Sequence, residues 1–541
     1  MRVRHYWKLL AACAVFVVVC AVVFSTVRVT PLVTSGSDNS ADQVTQNIVG
    51  TTELFDATVA HRITLTFRDE DYQRLLDDLW EEDEKNFLEA DLTIDGTRIP
   101  SVGIRLKGNS TLGGLTRNGE ARQRGFGRDR PPGAGQEPRP GGNGPGGGSP
   151  GGGFPEGGPA GAPGGDQAGG ARGGAGPGGF GRASLKAEEP ESLPWLIRFD
   201  EFVEGRRYQG HREIAVRVAG MGGGSTVLNE AVSLQVSAAA GEPAQRYAYS
   251  SFTVNDRPTT ARLLVEHPDE GFADTLGGDG VLYKSLATGQ FTDQGDDPTS
   301  YADDFKQVTM KGSQDLQPVI NLIRWVNTSS DADFAAHLGD HVDVQALARY
   351  LAVQNLLLNF DDMAGPGRNY YLWYDLGAKK FTVVGWDYNL TLSGEATQGP
   401  HDTGRRGGRF PQAGGAPPGG FPPPEGVQPP EGVQPPAGMP GPGGDAVGGR
   451  GRPGGVGGNK LKERFLASAA FKPVYENAYR DLYRKIYADG TALNAVESIT
   501  KVLSTVDGYD EQKTTADVER LKTLVGQRTS HLATHSVITS G

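Results

Sequence analysis

Two long stretches of this chain cannot form a packed core, and they confine the folded part to three separated pieces. From about Thr116 to Arg182, and again from about Glu395 to Gly458, the sequence is Gly, Pro, Ala and Arg with few large apolar residues. Such a composition buries too little apolar surface to offset the entropy of ordering, so both stretches are expected to be disordered insertions. They hold much of the 79 Gly and 35 Pro found among 541 residues. The first carries eight Arg against five acids and keeps no sustained Gly-Xaa-Yaa register, which excludes collagen. The second repeats Glu-Gly-Val-Gln-Pro-Pro at Glu425 and Glu431, a unit too short and Pro-rich for a solenoid. What remains is enough for two lobes around a cleft.

The only cysteines, Cys13 and Cys20, lie in the apolar run Leu9 to Val27, so the folded part has no thiol for a disulfide or a zinc site. That run is long enough to cross a bilayer, and Arg2, Arg4 and Lys8 precede it. By the positive-inside rule we expect a single-pass cell-membrane anchor, with a cytoplasmic N-terminus and an extracytoplasmic main domain. Residues 31–58 read as a polar tether. The net charge of −12 argues against nucleic acid as a partner.

Along the folded pieces the pattern is mixed, an α+β class. Alternation from His61 to Phe67 predicts a strand, and Tyr72, Leu75, Leu76 and Leu79 share one face of a following helix. Asp95-Gly96 is a hairpin turn between Phe87–Ile94 and Arg98–Leu106. The second hairpin strand runs into Arg105-Leu-Lys-Gly-Asn-Ser. There Gly108 frees the backbone to approach an anion, Asn109 and Ser110 add donors, and Arg105 and Lys107 add charge. The other reading is an ordinary polar loop. Further strands are expected near Leu193–Asp200 and Ile214–Val218. The glycines at 220–224 then open a helix over 227–240 carrying Glu230. A hairpin spans Arg246 to Glu266, and helices follow Asp303 and close the chain from Leu461.

Asn355 to Leu392 holds the densest chemistry. A helix tail ends at Asn359, and Asp361 and Asp362 follow at once. A Gly/Pro loop leads to Asn369 and an aromatic strand, and Asp387 ends the next strand. Two acids and an amide brought together by that hairpin make an oxygen-rich site suited to Mg²⁺ against phosphates. On spacing alone these residues equally serve as a helix exit and a turn.

The segments Asn-Phe-Asp (359–361), Asn-Tyr-Tyr-Leu-Trp-Tyr-Asp (369–375) and Lys-Phe-Thr-Val-Val-Gly-Trp-Asp-Tyr-Asn-Leu-Thr-Leu (380–392) resemble the core of the CotH-type (spore coat protein H family) atypical protein kinases. Arg105 to Ser110, Leu263 to Asp269 and Gly280 to Lys284 resemble further motifs of that family. The resemblance implies a two-lobed, atypical protein-kinase-like fold that uses ATP with Mg²⁺ or Mn²⁺ to phosphorylate Ser/Thr of a secreted or surface protein. It makes Asp361 the base, with Asp362 competing for that role, and Asp387 a metal ligand, with Asn369 beside it. It places Arg105, Lys107, Asn109, Ser110, Arg198, Glu230 and Glu266 around the nucleotide. One departure stands out: where the family keeps a strand lysine, Leu196 and Arg198 occupy the strand, and the nearest lysine is Lys186. Arg does not replace Lys freely at a close-fitting site. The alternative is therefore a pseudokinase or a non-catalytic surface adhesin on the same fold, gripping cell-wall or surface partners through its inserts. Both inserts are expected to leave from the cleft mouth and to tune access or partner capture. The sequence has no His-Glu-x-x-His and no complete Walker A loop.

Overall fold

The computed structural model describes residues 44–108, 111–122, 185–218, 226–402 and 458–540. The apolar run Leu9–Val27, the loop residues Asn109 and Ser110, the glycines 220–224 and the bulk of both inserts lie outside the described residues. Among the described residues no helix is long and apolar enough to cross a membrane.

Seven strands close into a barrel. In chain order they are β1 (Ala60–Thr66), β2 (Leu88–Ile94), β3 (Thr97–Leu106), β4 (Trp195–Arg198), β5 (Glu213–Val216), β6 (Tyr247–Val254) and β7 (Thr260–Glu266). The order around the barrel is β5-β7-β6-β1-β2-β3-β4, with β4 pairing back onto β5. Only β6 and β1 run parallel; every other pair is antiparallel. The period-2 alternation sends Ile63, Leu65, Ile104, Ile197, Ile214, Phe252 and Leu264 inward, each almost wholly buried. The turn at Asp95-Gly96 takes positive φ at both residues (47° and 84°), which fits a right-twisted hairpin. Helix α1 (Asp69–Glu81) packs Tyr72, Leu75, Leu76 and Leu79 against this core.

A second core lies below. It contains the sheet β9-β8-β10-β11, built from β8 (Gly280–Ser285), β9 (Phe305–Gln307), β10 (Tyr370–Asp375) and β11 (Lys380–Gly385). Helix α2 (Leu228–Ala239) joins it, with α3 (Gln317–Thr328), α4 (Asp331–His341) and α5 (Val344–Leu356). After the second insert come α6 (Lys460–Ala467), α7 (Lys472–Tyr483), α8 (Thr491–Leu503) and α9 (Glu511–Ala533). The outward-facing Tyr247, Tyr249, Leu263 and Val265 of β6 and β7 belong to this lower core, so the two bodies share one wall.

Three sequence expectations need correction. Residues 44–58 are not a free tether: 46–48 pair with 206–208, and Leu54 and Phe55 are buried. The flanks of both inserts are ordered. Residues 115–117, 120–121 and 185–186 form a three-stranded sheet, and Arg117 pairs with Asp77 of α1 at 2.7 Å. Residues 395–402 are held through Ala396 and Gln398, whose carbonyls accept from Arg528 at 3.2 and 2.9 Å. Finally, the first of the helices expected from Leu461 ends at Ala467 and a new one starts at Lys472, where Pro473 sits in the first turn of α7.

Candidate active site

The outer face of the barrel forms one wall of a cleft. Opposite the inward Ile104, Ile197 and Ile214, the residues Arg105, Leu196 and Ala215 stand in register on β3, β4 and β5. The same face carries Lys107, Arg198, Glu213 and Arg217, because each lies two residues along its strand direction. The facing wall is β8 and β10 of the lower sheet, with Lys284 directly opposite both Lys306 and Tyr371.

Trp386 organises the charges. Lys107 Nζ lies 5.0 Å from its ring centre, the Arg217 guanidinium 5.1 Å and Lys284 Nζ 5.6 Å. Lys284 also sits 5.7 Å from the Tyr371 ring. Each contact is individually favourable, but three cations around one indole repel one another. Burial, then the charges of Lys284 and Arg217, push Lys107 well below the usual lysine range. Burial lowers Lys284 to about 8. Lys284 and Lys306, directly opposite on neighbouring strands, add a further like-charge pair. The ammonium groups of Lys107, Lys284 and Lys306 form no ion pair or hydrogen bond among the described residues. Unpaired, converging cations are a receptor for a multiply charged anion.

Acids border this cluster. Arg217 Nη2 bonds Glu230 Oε1 of α2 and stands 3.1 Å from Asp387 Oδ1. Burial pushes the Glu230 carboxyl up. Asp387 takes a left-handed backbone (φ 59°) where β11 gives way to a short turn, and that bend aims its carboxylate back at the cleft. Glu213 accepts from His267 Nδ1 at 3.1 Å, and the His267 ring meets the Trp386 face edge-on at 5.3 Å.

Asp361 closes the other end. Its Oδ1 accepts the Gly367 N–H, and its Oδ2 accepts from Asn369 Nδ2 at 3.0 Å. Burial, with the nearby charges of Asp387 and Asp362, raises its pKa to about 6. A carboxyl held near neutrality by burial and by a second carboxylate is suited to proton transfer. Asp362 is differently used: Lys462 Nζ of α6 bonds its Oδ2, and the Ala364 N–H donates to its Oδ1 at 2.9 Å.

Lys107, Glu230, Asp361, Asn369 and Asp387 are thus brought to one cleft, with Arg105 at its border. Arg198 reaches the same face but is held by Asp200 at 2.8 Å and Glu201 at 3.1 Å. Glu266 is not brought there. It points to the barrel interior side and accepts from Arg246 Nη2 at 2.9 Å and from the Arg246 N–H at 3.0 Å. Sequence reasoning missed Arg217, Lys284, Trp386, His267, Glu213 and Lys462 as site residues. Lys284 and Trp386 lie inside quoted motifs, and Arg217 follows Glu213 and Ala215 on the outward period of β5. Lys462 has no local signal.

A divalent cation with nucleotide fits the donors present. Among the described residues no three His, Cys, Asp or Glu side chains converge on one point. Mg²⁺ on a nucleotide needs only one or two carboxylates besides phosphate oxygens and water. Asp387 Oδ1 is buried and faces Arg217 as an ion pair without a hydrogen bond, so the carboxylate keeps lone pairs for one such ligand position.

The model of the CotH kinase protein family matches residues 183–531. No curated protein matches the chain. With the match covering the main part of its length, the chain belongs to the CotH kinase protein family.

Proposed function

We propose that this chain is an atypical protein kinase that transfers the γ-phosphate of ATP to Ser/Thr hydroxyls of a secreted or surface protein. The observation that carries this reading is the grouping of Lys107, Arg217 and Lys284 on Trp386, with Asp387 bordering them and Asp361 beyond. When bound, Mg²⁺–ATP supplies the phosphoryl group. Lys107 and Lys284 bind and orient the phosphates, with Arg105 at the border. Arg217 fills the place of the absent strand lysine, since it is the cation paired with Glu230. Asp387 is the metal ligand, with Asn369 steadying Asp361. Asp361 accepts the proton of the acceptor hydroxyl; Asp362 is excluded from that role because Lys462 holds it. The run Leu9–Val27 would anchor the protein in the cell membrane with this domain outside.

One observation favours a second reading, a non-catalytic surface binder. Leu196, an apolar residue, stands on the cleft wall between Arg105 and Ala215. Nucleotide decides between the two. Full-length protein in detergent is incubated with labelled ATP, Mg²⁺ or Mn²⁺ and a mixed protein acceptor, beside Asp387→Ala. Metal-dependent labelling that vanishes in the variant supports the kinase. A folded wild type that binds no nucleotide supports the binder.

A further inference from the structure

The helix that follows the second insert grips both ends of the loop carrying Asp361. At one end, Lys462 Nζ bonds Asp362 Oδ2. At the other, Asn459 Nδ2 donates to Tyr370 Oη at 3.3 Å, while Asn459 Oδ1 caps α6 by accepting the Leu461 and Lys462 N–H groups at 3.0 and 3.2 Å. Helix α6 is itself fixed to the lower body, because Arg464 donates to the Val326 and Ser330 carbonyls at 2.6 and 2.9 Å. The loop between these two grips is short and turns sharply. A Cβ on Gly365 would stand 2.4 Å from the Asp361 Cα, and one on Gly367 would stand 2.6 Å from Asp361 Oδ2. A small displacement of Asp362 therefore moves Asp361 with it.

We propose that Lys462 is the positioning residue of the catalytic base: by holding Asp362 it sets the place of Asp361 in the cleft. This inference rests on the kinase reading and adds to it a residue a hundred positions away in sequence. Asp362 is almost wholly buried, and its remaining hydrogen bond, from Ala364, is local to the loop. Among the described residues Lys462 is the one cation paired with that carboxylate, and a buried charge left unpaired seeks water. The loop then opens toward solvent and carries Asp361 out of line, and an ångström of misplacement is enough to cost about 100-fold in rate. Lys107, Arg217, Lys284 and Asp387 are untouched, so nucleotide binding is spared.

Three variants of the full-length chain test this: Lys462→Met, Lys462→Arg, and Lys462→Met combined with Asp362→Asn. We expect Lys462→Met to lower kcat by about 10- to 100-fold with KM for ATP unchanged, the split expected when geometry rather than binding is lost. Lys462→Arg restores most of kcat. The double variant also recovers, because it removes the uncompensated carboxylate. An unchanged kcat in Lys462→Met, a KM that rises in step, or a double variant no better than the single one overturns the proposal. Hydrogen exchange keeps the test independent of catalysis. In Lys462→Met the Gly367 amide, bonded to Asp361, should lose protection while residues 280–285 and 381–386 keep theirs. Equal protection across all three segments overturns the inference even if the wild type transfers no phosphate. Absence of transfer in a wild type whose loop loosens as described sinks the kinase reading alone.

Discussion

Arg217 Nη2 stands 3.1 Å from Asp387 Oδ1 while the same nitrogen bonds Glu230, so one guanidinium joins the barrel wall, α2 and the end of β11. Arg217→Lys should not be silent, since an ammonium is more strongly hydrated than the guanidinium that lies buried against Trp386 and stacks less well on an indole. We expect it to weaken nucleotide binding about tenfold by calorimetry, and Arg217→Met to weaken it further.

Lys284, lowered to about 8 by burial, gives the site a pH signature. It is charged below that value and neutral above it, and a bound phosphate favours the charged form. Nucleotide affinity should therefore fall as pH rises through about 8, by up to about tenfold per pH unit, with proton uptake on binding. Lys284→Met flattens the profile. A wild-type affinity that is constant from pH 7 to 9.5 would contradict this.

Gly367→Ala places a methyl group 2.6 Å from Asp361 Oδ2 and 2.7 Å from Asn369 Nδ2. The loop must shift and the Asp361 hydrogen bonds must break. Transfer should drop by about 100-fold while nucleotide binding is retained.

Arg528 is fully buried on α9 and donates to the carbonyls of Leu356, Asn355, Ala396 and Gln398 at 2.7, 2.8, 3.2 and 2.9 Å. The first two are carbonyls at the end of α5, just before the Asp361 loop. Arg528→Met should cost about 2–6 kcal/mol: the Ala396 and Gln398 carbonyls lose their donor, at about 1–3 kcal/mol each, while Leu356 keeps the Tyr487 hydroxyl and Asn355 the Leu358 N–H. A urea titration should show it.

Two buried histidines set an acid limit. Burial lowers His211 from 6.5 to about 4 and His267 from 6.5 to about 3. Between those values and 6.5 the unfolded chain binds protons that the folded chain refuses, so stability is full above pH 6.5 and is lost as pH falls toward 4. The His211 share is on the order of 3 kcal/mol. Urea midpoints measured from pH 7 to 4.5 should decline, and less steeply in His211→Gln.

Local patterns in the sequence located most elements. The 3.6-residue stripe of Tyr72, Leu75, Leu76 and Leu79 and the Asp95-Gly96 turn are both where periodicity and turn chemistry put them. Barrel closure was not legible, because the β3–β4 and β6–β1 pairings depend on register between segments far apart in the chain. The site divides the same way. Asp361, Asn369 and Asp387 sit in one hairpin and are visible as a group. Lys107 and Lys284 come from different bodies and meet only at Trp386. Glu266 misled because its neighbour His267, one residue on, is the one turned toward the cleft. The first insert also departs from expectation: its ordered flanks rest beside α1, while the second returns at Gly458 next to the Asp361 loop.

The parallel pairing of β1 with β6 dictates an order of assembly. Ala60 and its neighbours leave the ribosome early, but their partner strand begins at Tyr247, beyond the whole first insert. The barrel must wait for that late strand before it closes, a long-range contact that slows folding. The hairpin β2–β3 can form first, leaving β1 with one side unpaired. A chain that crosses a membrane while being made would carry that open edge through, and whatever shields it in transit decides how much reaches the folded state.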